Sequence, residues 1–154
     1  MNTAHDQPPS AKDLVKISVT VPPEEWHGHG REARWAEALG GQRYRLQNIP
    51  FFAYGLSLLD VIQINAAEAV QTIEEAGHST YRVFIKDAFT LRAVELLDTM
   101  TSLGTSYERA TASLVAIDVP PETDIHKVFA VLEGGTLEGV WDFEEAHVEH
   151  DLTR

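Results

Sequence analysis

The hydrophobic repeat of this chain lengthens from two residues to about 3.6 at Asp87 and again after Pro120-Pro121, and these two switches constrain its fold more than any other feature. In the first helical tract Phe89, Ala93, Leu96, Leu97, Met100 and Leu103 fall on one face, Asp87 can cap the first amides, and Gly104 stands where a helix stops. The second is capped by Thr123 or Asp124, carries Ile125, Val128, Phe129 and Leu132 as its stripe, and is predicted to close at Gly134-Gly135. Strand patterns surround them at residues 80–86, 107–110, 114–119 and 140–143. Strand, helix, strand, strand, helix, strand is the order of a ferredoxin-like βαββαβ unit with both helices on one face of an antiparallel sheet.

Upstream the pattern is β throughout. Residues 15–21 alternate apolar and polar without a fault, and Pro22-Pro23 ends them. Residues 34–39 and 44–48 read as a hairpin about Gly40-Gly41, and Asn48-Ile49-Pro50 stops regular pairing, because proline lacks a donor and holds its predecessor extended. Strands are expected at 58–65 and 69–75. Residues 65–76 also fit an amphipathic helix with Ala69, Val70 and Ile73 inward, and strand is preferred. The predicted class is α+β: a small antiparallel sheet or partial barrel packed on the ferredoxin-like unit, with Phe51, Phe52 and Tyr54 at the seam and one of the two phenylalanines buried there. Residues 1–13 are expected to be a disordered tail and 14–143 one compact domain with lobes at about 14–76 and 77–143. Residues 144–154 form an acidic, His-containing tail in this scheme.

Composition excludes several function classes. With no cysteine among 154 residues there is no thiolate metal site, disulfide or cysteine nucleophile. The net charge of -12 opposes nucleic-acid binding, which depends on Lys and Arg displacing counterions. Nor does the third strand of the ferredoxin-like unit, residues 114–119, offer aromatics for base stacking. Without a long apolar run or a signal-like start, the chain is expected to be cytoplasmic and away from membranes. Lys127 and Arg154 stand almost alone against the carboxylates of the final third, so that end would steer a basic partner.

Catalytic motifs are absent: there is no Gly-X-Ser-X-Gly elbow and no phosphate loop. His78 and Ser79 are neighbours on a strand and point to opposite faces, so they cannot serve each other. His27 and His29 lie two apart between glycines, and His147 and His150 are rich in neighbouring carboxylates. Nothing in the sequence joins the two pairs, so no metal and no cofactor is expected. What is left is a set of polar residues at strand starts. His78 with Asp60 makes the candidate acid–base pair, and Asn48, Arg82 and Tyr54 are the candidate ligand-binding groups, Arg82 for an anion.

The segments Asn48-Ile49-Pro50-Phe51-Phe52, Asp60-Val61, Gly77-His78-Ser79-Thr80-Tyr81-Arg82 and Asp118-Val119-Pro120-Pro121 together resemble an uncharacterised bacterial family, a domain of unknown function of about this length. The resemblance spans residues 15–143 and implies one compact unit without implying an activity. The reading is therefore a binding or regulatory domain for an unidentified protein or small molecule, including an acidic antidote to a basic toxin through a face around Glu138, Asp142 and Glu145. The alternative is a small cofactor-free enzyme with a His78-centred pocket.

Overall fold

Half-buried strands must pair with neighbours, and in the computed structural model the first five do so in chain order, the first and fifth forming the edges. Residues 14–21, 30–86 and 90–153 are described; the expected tail at 1–13, the His27/His29 loop, the Asp87 cap and Phe89 lie outside them. Strands β1 (Leu14–Thr20), β2 (Arg31–Gly40), β3 (Arg43–Leu46), β4 (Val61–Ile64) and β5 (Val70–Glu74) form an antiparallel meander. Gly40 and Gly41 take φ of +89° and +62° at the hairpin between β2 and β3, a conformation that only a residue without Cβ enters freely. Between β4 and β5 the Asn65 carboxamide accepts the amides of Ala67 and Ala69 and Glu68 has φ +65°, so a turn stands where a helix was the alternative. That turn reaches back to β1 and β2: Thr20 donates to the Glu68 carbonyl and Arg31 pairs with the Glu68 carboxylate. The sheet is thus curled.

The second sheet has strand order β7-β8-β6-β9, built from β6 (Ser79–Ile85), β7 (Ser106–Arg109), β8 (Leu114–Val119) and β9 (Trp141–His147), every pair antiparallel. Helix α1 (Thr90–Leu103) joins β6 to β7, and α2 (Ile125–Leu137) joins β8 to β9. Alternation sends Tyr81, Val83 and Ile85 of β6, and Val115, Ile117 and Val119 of β8, into one core with Ala93, Leu97 and Met100 of α1 and Val128 and Leu132 of α2. The first sheet has its own cluster, in which Ile17, Val19, Ala36, Leu46 and Ile62 meet Ala53 and Leu56 of the β3–β4 connection.

Three expectations are corrected. Helix α2 passes through Gly134-Gly135 to Leu137, with Glu138 as its C-cap and Gly139 at φ +77°. A glycine costs a helix only about 1 kcal/mol, and Gly135 is required there for another reason, its contact with Trp141. Strand β9 does not end at Phe143 but pairs with β6 as far as His147, so residues 144–147 belong to the sheet and not to a tail. Phe51 and Phe52 are only half-buried; the buried apolar residues of the corner are Ile49, Pro50, Ala53 and Leu56. Among the described residues no helix is long and apolar enough to cross a membrane.

Candidate functional site

Thr80 and Arg82 of β6 face away from the helices and onto the β3–β4 connection. A connection without regular pairing must satisfy its backbone elsewhere, and residues 50–53 do so with two side chains of opposite charge. The buried Glu32 carboxylate of β2 accepts the amide of Phe51 and, at 3.0 Å each, those of Phe52 and Ala53. Arg82 of β6, wholly buried, donates to the carbonyls of Pro50 at 3.3 Å, Ala53 at 2.9 Å and Phe52 at 3.4 Å, and its Nε donates to Glu144 at 2.9 Å. The other Glu144 oxygen accepts the Tyr54 hydroxyl at 2.8 Å, and the guanidinium stacks 4.6 Å from that ring. Burial first, then Glu144, raises the Tyr54 pKa against the opposing effect of Arg82. Asn48 accepts the Trp35 amide at 2.8 Å. Hence Asn48, Tyr54 and Arg82, expected to hold a ligand, hold the chain itself.

The expected acid–base pair is divided between two clusters. His78 Nδ1 lies 2.8 and 3.0 Å from the two oxygens of Asp118 on β8, and both side chains are buried. Burial pushes the Asp118 carboxyl up to about 6; His78 opposes this, while Glu122 and Glu108 reinforce it. Asp60, meanwhile, accepts the amides of Ser57 at 2.9 Å and Ala76 at 3.0 Å, and its carboxylate meets His147 and Glu149. One donor atom from each of Asp60, His147 and Glu149 lies within 4.8 Å of the others. Burial, and then the neighbouring Asp60 carboxylate, pushes Glu149 up to about 9.

Residues past β9 complete the site. Glu149 Oε1 accepts the Gly77 amide at 2.7 Å, and the Ser79 hydroxyl lies 2.6 Å from His150 Nδ1 while accepting the amides of Glu149 and His150. The Pro120 carbonyl, 2.9 Å from His150 Nε2, can only accept, so Nε2 carries the proton and Nδ1 accepts from Ser79. Ser79 is wholly buried and fully bonded, which makes this contact a clamp on the chain and no nucleophile. Beside it opens a cleft of about 460 Å³ lined by Gly77, Pro121, Thr123, Asp124, Ile125, His126, Glu149, His150 and Asp151. Sequence reasoning gave no site role to Asp118 or Glu144 and counted Glu149 only among the carboxylates around His147 and His150. Asp118 did leave a signal, as the one charged residue in the otherwise apolar run of β8.

The fold thus defines a mixed α+β protein with two antiparallel sheets, of five and four strands, and two helices among the described residues. The chain belongs to the family described as Domain of unknown function (DUF4265), which matches residues 32–143. It is also similar to the structure titled "Novel crystal structure of a hypothetical protein from Neisseria gonorrhoeae", with a TM-score of 0.71 and 16% identity over 92% of this chain and 99% of that one. A comparison with curated proteins finds no match.

Proposed function

We propose that the protein is a non-catalytic, cytoplasmic binding domain that receives a basic segment of a protein partner in the cleft between the Gly77 turn, the start of α2 and residues 149–151. The observation that carries this reading is the chemistry of the cleft: the Asp124 and Asp151 carboxylates line it with two imidazoles, and among the described residues no Lys or Arg lines it. A chain of net charge -12 steers cations towards such a surface. Asp60, half of the expected acid–base pair, and Arg82, the expected anion-binding group, are committed to internal bonds, which favours binding over chemistry. An acidic antidote to a basic toxin is one form of this function.

The test is titration of the protein with octalysine at low ionic strength by isothermal calorimetry. Asp124→Asn with Asp151→Asn removes two charges, and asparagine still caps α2, where Asp124 accepts the amides of His126 and Lys127. The expected result is a salt-sensitive complex weakened about tenfold or more in the double variant, a change of roughly 1.4 kcal/mol. Absence of binding, or equal binding by the double variant, would overturn the reading.

For the fold, the finer description we favour is one compact domain in which β6-α1-β7-β8-α2-β9 is a ferredoxin-like unit. The strand order β7-β8-β6-β9 and the shared core of the two helices support it. A second functional reading, an acid–base enzyme, has one observation in its favour: Asp118 grips His78 through Nδ1 as a carboxylate orients a catalytic imidazole. In that case diethylpyrocarbonate must modify His78 in the folded protein; protection of His78 while His126 reacts would dismiss it.

A further inference from the structure

Asp60 and the neighbouring pair His147 and Glu149 meet beneath the Gly77 turn, one donor atom of each within 4.8 Å of the others, and Glu75 touches the edge of this cluster through His147. The Nε2 of His147 lies 3.0 Å from Glu75 Oε2, with hydrogen-bond geometry, and equally 3.0 Å from Glu149 Oε2. An imidazole nitrogen carries at most one hydrogen, and this one is directed at Glu75. Glu149 Oε2 is consequently left with no hydrogen bond, although its side chain is only 1% exposed. That oxygen faces the buried Asp60 carboxylate, and two carboxyl groups held this close must share a proton or a cation. A divalent cation placed among these donors would take the place of the shared proton.

The geometry points to a site for one divalent first-row cation of the zinc class, bound by Asp60, His147 and Glu149, with Glu75 as a fourth ligand at the rim. A tetrahedral zinc ion with bonds of about 2.0–2.2 Å sets its ligand atoms about 3.4 Å apart, close to the 3.0 Å separations around His147. One imidazole with carboxylates suits zinc and manganese better than copper(I), which wants sulfur. The ligands are held from behind, as metal ligands are: amides of Ser57 and Ala76 bond to Asp60, and the Gly77 amide bonds to Glu149 Oε1. There is also a way in, because the Glu75 side chain is 51% exposed and that of His147 21%. This set differs from the four histidines singled out in the sequence; of those it uses His147 alone. It shares only Glu149 with the cleft proposed for the basic partner, so the two readings stand or fall separately.

The experiment is calorimetric titration of tag-free, chelator-treated full-length protein with zinc chloride and, separately, manganese chloride, together with melting curves. Binding of one equivalent of zinc is expected, with a melting temperature raised by about 5–10 °C at a hundredfold excess over Kd. His147→Asn and Glu149→Gln should each weaken binding about a hundredfold or more, Glu75→Gln less, and a His27→Asn/His29→Asn variant not at all. Circular dichroism of each metal-free variant reports whether it is folded, and His147→Asn, at a partly exposed position, is the variant on which the proposal rests. No zinc or manganese bound at 100 μM by the wild type would overturn it, as would retention of full affinity by His147→Asn or loss of affinity in the His27/His29 variant.

Discussion

The indole of Trp141 lies against the backbone of Gly135: a Cβ added to that glycine would stand 2.5 Å from both Cε2 and Nε1 of the ring. The ring is wholly buried and fixed by its own Nε1, which donates to the Leu132 carbonyl at 3.0 Å, so it cannot move aside. Gly135→Ala should therefore lower stability by about 1–3 kcal/mol through overpacking. At Gly134 nothing lies within 4 Å of the added atom, and Gly134→Ala should instead stabilise α2 by about 1 kcal/mol. Urea midpoints of the two neighbours should move in opposite directions; a shift of the same sign would contradict this packing.

Arg82 is the residue on which the corner depends. Arg82→Met leaves Glu144 and the carbonyls of Pro50, Phe52 and Ala53 without their buried donor, at a cost of about 3–5 kcal/mol. Lysine keeps the charge but lacks the planar fork that reaches four acceptors, so Arg82→Lys should not rescue more than part of the loss. Equilibrium unfolding of both variants in urea checks this, and a midpoint near wild type for Arg82→Met would refute it.

At the same corner the aliphatic residue should outweigh the aromatics. Ile49 is 1% exposed and its truncation to alanine should cost about 2–5 kcal/mol. Phe51 is half-buried, with the Arg34 guanidinium 4.2 Å from its ring centre, and Phe51→Ala should cost only about 1–2 kcal/mol. Thermal melts of the pair decide the order.

Asp118 makes stability depend on pH in a direction opposite to that of an ordinary ion-paired carboxylate. Its folded pKa of about 6 lies above the unfolded value of 3.8, so the native state binds the proton more tightly. Its destabilising contribution is absent below pH 3.8 and grows as pH rises to about 6, reaching about 3 kcal/mol for a shift of roughly two units. Asp118→Asn removes that titration. The stability of the variant relative to wild type should rise by about this amount between pH 4 and pH 7, and parallel pH profiles would disprove the assignment.

The strands and helices were legible because each announces itself locally. Alternation placed β1, the run Leu114–Val119 marked β8, and the 3.6-residue stripes located both helices, since burial of one face is a property of a single segment. Asp124 capped α2 as its side-chain chemistry requires. The errors fall where a residue answers to a distant partner. Gly135 looks like a stop until Trp141 is laid on it, and residues 144–147 look like a tail until β6 offers them an edge.

The chain of residues alone determined the elements, the polar positions at strand starts and an acidic character. Only the tertiary structure decided that His78 meets Asp118, 40 residues away, that Arg82 turns inward onto the corner, and that Asp60 joins His147 and Glu149. The physical reason is that periodicity records which face of a segment is buried, whereas the partner of a buried charge depends on strand order and register, and these are set by the packing of the whole molecule.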